Sequence, residues 1–131
     1  MRTIRIIEHI SLDGVIQAPG GRKEDGDYPY GGWAAPFDDD AGGEAIVAGP
    51  DLIVWGSSSV TPLLLEHGLA DEVLLLIYPV LLGTGKRLFS DKTPPRELTL
   101  VGSKAGSSGV IISTYKPRGP LRTGDIGGPR E

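Results

Sequence analysis

The chain has 131 residues, enough for one domain with one core and too short for two ordinary ones. Hydrophobic residues make up 39% of it against 20 Gly and 11 Pro, so loops and turns take a large share. A formal net charge of −4 argues against a nucleic-acid partner, whose phosphates call for clustered Lys and Arg, and the lack of cysteine excludes disulfides, thiol nucleophiles and thiolate metal sites.

Thr3–Leu12 is rich in isoleucine and runs into Asp13-Gly14, a turn signal, so it reads as a first strand. Its polar residues do not alternate strictly, which suits a central strand covered on both faces. Arg5, Glu8 and His9 interrupt what would otherwise resemble a signal-peptide core. The longest apolar run, Val73–Leu82, contains Pro79 and falls far short of the about 20 residues that span a bilayer. A cytoplasmic protein with no membrane partner is the expectation. Val15–Gln17 resumes the strand briefly. Residues 18–35 form a long glycine-rich loop, and such loops are usually functional lids or disordered. Its aromatic set, Tyr28, Tyr30 and Trp33 with Phe37 beyond, reads either as a cover for a planar ligand or as the loop's hydrophobic anchor. Asp38–Asp40 and Ala41–Ala48 suggest a short helix with acidic residues at its positive end.

Asp51–Trp55 is a second strand. Thr61–His67 reads as a short helix, with Thr61 as N-cap, Pro62 at the first helical position and Gly68 as the C-terminal glycine. Glu72–Val80 is the most apolar segment and is expected to be a buried strand. After a Pro94-Pro95 break, Glu97–Gly102 and Gly109–Tyr115 form an antiparallel hairpin. The domain is expected to span residues 1–116, with 117–131 as a disordered tail, since that stretch is rich in Pro and Gly and poor in apolar residues.

Three motifs carry candidate chemistry. Gly56-Ser57-Ser58-Ser59 joins a strand to a helix, where unpaired N–H groups, the helix dipole and serine hydroxyls suit a pyrophosphate. The alternative is an ordinary turn with serines as caps. Ser11-Leu12-Asp13-Gly14 places a hydroxyl and a carboxylate at the C-terminal end of a central strand, where open α/β sheets gather ligands. The alternative there is a turn that merely ends the strand. Gly83-Thr84-Gly85-Lys86-Arg87 offers two glycines and two cations for an anion, or simply solvated loop charges, and it does not match a P-loop. His9 and His67 make no metal pair. His67 suits the helix dipole, His9 reads as a strand residue facing a neighbouring layer, and neither is assigned a catalytic role.

Four stretches, IRIIEHISLDGVIQAPGG, DLIVWGSSSVTPLLLEHGLADEVLLLIYPVLLGTGKRLF, RELTLVGSKAG and GVIISTYKP, together cover most of residues 1–117. In them the chain resembles the dihydrofolate-reductase-like superfamily and, within it, the reductase domain of riboflavin biosynthesis, the RibD C-terminal family. The resemblance implies an α/β fold, a mostly parallel sheet with a C-terminal antiparallel hairpin. It also implies a homodimeric reductase of the 5-amino-6-(5-phosphoribosylamino)uracil reductase type that takes hydride from NADPH. On this likeness Gly56, Ser57, Ser58 and Ser59 face the cofactor pyrophosphate, and the turn carrying Ser11 and Asp13 lies beside the nicotinamide and the substrate.

The chain departs from that family in two places. Trp55 stands where the riboflavin reductases typically carry a glutamate, which implies a different ligand on the substrate side. Between Phe37 and Pro50 the family has a helix, strands and the adenosine-binding residues, so this chain reads as internally shortened near Asp40–Glu44 and truncated on one side of its sheet. The remaining strands would run in the order 51–55, 3–12, 72–80, 109–116, 97–102, leaving Asp51–Trp55 as an edge. With the adenosine wall missing, NADPH binding is expected to be weak unless a second subunit supplies it. The expected function is therefore an NADPH-dependent reductase with an unidentified small carbonyl or imine substrate. The alternative is a catalytically impaired family member that serves as a nucleotide-binding or dimeric interaction module.

Overall fold

A computed structural model describes residues 3–37, 51–89 and 93–128. The elements are β1 (Ile4–Ser11), a 3-10 turn (Ala35–Phe37), β2 (Leu52–Trp55), α1 (Val60–Glu66), β3 (Glu72–Tyr78), β4 (Arg96–Ala105) and β5 (Ile111–Pro120). They form a five-stranded sheet in the order β2-β1-β3-β5-β4, the order expected from the sequence. β1 pairs in parallel with both β2 and β3, and the β4–β5 hairpin adds antiparallel to β3. The suggested helix at 41–48 and the shortening near Asp40–Glu44 lie outside the described residues.

Register at the start of the sheet is fixed by carboxylates. The aspartate just before β2, Asp51, accepts the Thr3 N–H at 2.9 Å, and the one before β3, Asp71, accepts the Ile4 N–H at 2.7 Å. Arg5 and its register partner Glu72 add a half-buried ion pair, Arg5 Nη2 to Glu72 Oε2 at 2.7 Å. These contacts hold the N-terminal ends of three neighbouring strands level, so any difference in strand length appears at their C-terminal ends.

Strand alternation sends side chains into two cores. Ile7, Leu74, Leu76 and Ile112 pack with Val15, Tyr28, Trp33 and Tyr78 under the 18–37 loop. Ile6, Ile10, Val73 and Leu75 pack with Leu65, Ala70 and Leu88 under α1. Each fully buried aliphatic side chain contributes about 1.5–3 kcal/mol. Of the two readings of the aromatic loop residues, the structure shows the anchor. Tyr28 and Trp33 are buried, Trp33 and Phe37 meet the Tyr78 ring edge-on, and the Tyr28 hydroxyl donates to Thr84 O at 2.7 Å.

Three local expectations are corrected. The helix starts at Val60, one residue early, and Thr61 is not its cap. Thr61 is fully buried and its Oγ1 accepts the Ser57 N–H, while Ser57 Oγ takes the Val60 N–H at 2.9 Å. The other end is as expected: Gly68, at φ 65°, closes a Schellman motif in which its N–H bonds Leu65 O and the Leu69 N–H bonds Leu64 O. The hairpin strands are longer than expected, and β5 continues through Pro117 to Pro120, so residues 117–120 belong to the sheet and not to a tail. Pro117 fits because β3 pairs with β5 only as far as Tyr115, beyond which a missing N–H breaks no ladder on that side. A bulge between Glu97 and Leu98 then takes up the extra residue.

Candidate functional site

β1 is paired with β2 only from Ile4 to Ile7, and the Gly56 N–H caps that ladder on Ile7 O. Past this point the chain turns away into α1, and a cleft of about 640 Å³ opens beside the second half of β1. Glu8 and His9 supply its floor, Trp55 and Gly56–Ser59 one wall, and Ile16–Gly20 with Glu24, Asp25 and Lys86 the other. The volume lies within the range of small-molecule and cofactor sites.

The Gly-Ser wall is built by close packing. A Cβ on Gly56 would meet Leu88 Cδ1 and Thr61 Oγ1 at 2.9 Å and Ile6 Cγ2 at 3.1 Å, so only glycine lets the turn lie this near β1. Ser57 is occupied in the turn itself. Among the described residues no acceptor takes the N–H groups of Ser58 and Ser59, which leaves two backbone donors and the Ser58 hydroxyl available at the cleft, while the Ser59 hydroxyl makes a long 3.4 Å contact with Ser57 Oγ.

The opposite wall is tied together through Gln17. Its Nε2 donates to Asp25 Oδ2 at 2.6 Å, its Oε1 accepts the Lys86 N–H at 3.0 Å, and its carbonyl accepts Trp33 Nε1–H at 2.8 Å. The Gln17 hydrogen bond holds the Asp25 carboxyl below the usual carboxylate range. Glu24 accepts the Gly20 N–H at 2.9 Å. Ala18, also on this wall, adopts a left-handed φ of 51°, a conformation that costs free energy for a residue with a Cβ.

The floor holds two residues that sequence reasoning did not assign to a site. His9 stacks on Trp55, with ring centroids 5.7 Å apart and planes 16° from parallel, and its Nδ1 lies 2.8 Å from the Tyr78 hydroxyl in a hydrogen bond. Trp55 is 53% exposed, so the stack presents indole surface to the cleft. Glu8 is only 7% exposed, on the β1 face it shares with Ile6 and Ile10. Burial pushes its carboxyl from 4.5 up to about 8; the His9 backbone N–H pulls it back somewhat, and Glu24 raises it further. A carboxyl between two buried isoleucines of one strand face was the available signal.

The other expected site residues lie elsewhere. Ser11 and Asp13 are not part of the cleft lining. Ser11 Oγ donates to Asp13 Oδ1 at 2.5 Å and accepts the Val15 N–H at 2.9 Å, and Asp13 also accepts the N–H groups of Leu82 and Gly83, the latter at 2.7 Å. These donors, the Ser11 hydroxyl first, hold the Asp13 carboxyl down at about 2. Gly83 therefore serves the Asp13 turn. Gly85, at φ 130°, is covered by Val15 and Tyr28, since a Cβ there would meet Val15 Cγ1 at 2.6 Å. From the Gly83–Arg87 loop only Lys86 reaches the cleft, and Arg87 donates to Asp13 O.

The family model for the RibD C-terminal domain matches residues 44–112, over half of the chain. The chain belongs to the RibD C-terminal domain family. A curated relative, the uncharacterized protein YyaP of Bacillus subtilis (strain 168), is 39% identical over 67 residues. That match covers 51% of this chain and 36% of YyaP, so the chain spans about a third of that relative's length. Among solved structures, a pyrimidine reductase-like protein from Corynebacterium diphtheriae superposes with a TM-score of 0.59 at 13% identity, over 93% of each chain. A diaminohydroxyphosphoribosylaminopyrimidine deaminase/5-amino-6-(5-phosphoribosylamino)uracil reductase from Thermotoga maritima gives a TM-score of 0.52 at 13% identity, covering 89% of this chain and 57% of that one. Both likenesses bear out the dihydrofolate-reductase-like sheet. Among the described residues, no helix is long and apolar enough to cross a membrane.

Proposed function

We propose that this RibD C-terminal domain protein is an NADPH-dependent reductase of a small carbonyl or imine compound. The observation that carries the proposal is the convergence on one cleft of three elements: the Ser58 and Ser59 donors, the His9–Trp55 ring platform and the buried Glu8. The residues present fit the cofactor. Ser58, Ser59 and Lys86 would hold its phosphates, through N–H and hydroxyl donors and one cation, and the Trp55 indole offers a face to a planar ring. The cofactor, when bound, supplies hydride, and the chain orients, desolvates and protonates. An indole in place of a carboxylate beside the glycine turn favours a substrate less polar than a ribosylated pyrimidine.

The test is titration of NADPH against the purified chain, followed by Ser59→Asp. Weak but saturable binding is expected, with a dissociation constant of roughly 0.05–1 mM. Ser59 is exposed and its side chain makes no cap bond to the helix, so the variant should keep its melting temperature while losing about tenfold or more in affinity through repulsion of the phosphates. Absence of saturable binding by the wild type would rule out the reductase reading.

A second reading, a nucleotide-binding or dimeric interaction module without turnover, is favoured by the exposed Leu100 and Val101 on the edge strand β4. NADPH binding without oxidation by any carbonyl, together with sedimentation as a homodimer, would select it.

A further inference from the structure

We propose that Glu8 is the acid of the cleft: its uncharged carboxyl donates a hydrogen bond, and then its proton, to the oxygen or nitrogen of the C=O or C=N group reduced there. The proposal rests on the reductase reading and adds to it the residue that completes the proton balance. A bound dihydronicotinamide would supply the hydride to the substrate carbon and would be left as the cationic nicotinamide (pyridinium) form. The Glu8 Oε–H bond breaks as the new O–H or N–H bond forms, and the carboxylate left behind regains a proton from solvent.

Three observations on the structure support this role. Glu8 is more than nine-tenths buried, yet it is among the residues that line the cleft. None of the ion pairs among the described residues includes it, so no cation there holds it charged. An unpaired carboxyl in such surroundings keeps its proton at neutral pH, as its upward shift to about 8 indicates. A pKa near the working pH is what a general acid needs.

The competing groups are otherwise engaged. Asp13 is saturated by three donors and ionised. From the 18–37 loop, Glu24 binds the Gly20 N–H and Asp25 binds Gln17, which holds it low. His9 is fixed between Trp55 and Tyr78. From the segment after β3 only Lys86 enters the lining, and from the β2–α1 turn only hydroxyls and backbone donors do.

The test uses the full chain with 13C-labelled glutamate side chains, Glu8→Gln identifying the resonance by its loss. The Glu8 carboxyl is expected to titrate near 8, and titration near the ordinary glutamate value of about 4.3 would overturn the acid role alone. In NADPH oxidation with methylglyoxal and with 1-pyrroline, wild-type kcat should fall as pH rises through 8. Glu8→Gln should lower kcat by about a hundredfold, flatten that profile and leave NADPH affinity unchanged. Wild-type kcat and pH dependence in Glu8→Gln would overturn the proposal. Failure of the wild type to bind NADPH would remove the reductase reading and the proton transfer with it. Binding without turnover of either probe would overturn the proposed substrate class and the proton transfer to it.

Discussion

Two carboxyls five residues apart on and just beyond β1 are pushed in opposite directions. Glu8, halfway along the strand, lies on a face of isoleucines with little besides its neighbour's N–H to stabilise a charge, and it is raised to about 8. Asp13, in the turn at the strand's end, gathers the Ser11 hydroxyl and the N–H groups of Leu82 and Gly83, and it is lowered to about 2. The difference separates two tasks that a reader of residue types alone would assign together. Where donors surround a carboxylate it is a fastener, here joining the ends of β1 and β3. Where apolar side chains surround it inside a cleft, it becomes a reservoir for a proton.

The largest expected effect tests the Glu8 half of this contrast. The folded state holds that proton up to about pH 8, while the unfolded chain releases it near 4.5. The stability contributed by Glu8 should therefore be greatest below 4.5 and decline as pH rises to 8, by at most about 1.4 kcal/mol per unit. Glu8→Gln should abolish the decline and make the protein more stable than wild type at pH 9. Urea unfolding from pH 4 to 9 measures both, and parallel curves for the two proteins would break the comparison.

Asp13→Ala comes next, because it removes an acceptor serving three donors, and a cost of about 1–3 kcal/mol is expected at pH 7. The sign with pH is opposite to that of Glu8. The wild-type advantage should be fully present above pH 4 and vanish as the pH falls toward 2, with chemical denaturation at pH 2.5 and 7 as the check.

The smallest effect sharpens what counts as a fastener. Glu97 is also held at about 2, first by the Arg122 side chain and then by the Arg122 backbone N–H, but the Arg122 side chain is two-thirds exposed. Arg122→Ala should raise the Glu97 carboxyl toward its ordinary value in an NMR titration and leave the melting temperature unchanged.

Much of this was legible in the sequence. Isoleucine- and leucine-rich runs bounded by Asp and Gly gave the strands, and the order of five strands agreed with the family likeness. The Gly56–Ser59 turn was legible because glycine is required wherever backbone must lie against packed side chains. What escaped were features set by tertiary context. Glu8 and His9 looked like interruptions of an apolar run, since their environment depends on a loop and a helix distant in sequence. Pro117 looked like the end of order because its tolerance depends on where β3 stops. Gly83 and Gly85 looked like an anion loop, whereas one feeds the Asp13 turn and the other makes room for Tyr28 and Val15.

The unequal lengths of β1 and β2 have a further consequence. With their starts held level, four residues of β1, Glu8–Ser11, have no counterpart in β2. At about 3.3 Å per residue, that difference amounts to roughly 13 Å. The mouth of the cleft is thus a ruler graduated in whole residues. Lengthening or shortening β2 would change the size of molecule admitted in fixed steps, with no side chain on the floor altered.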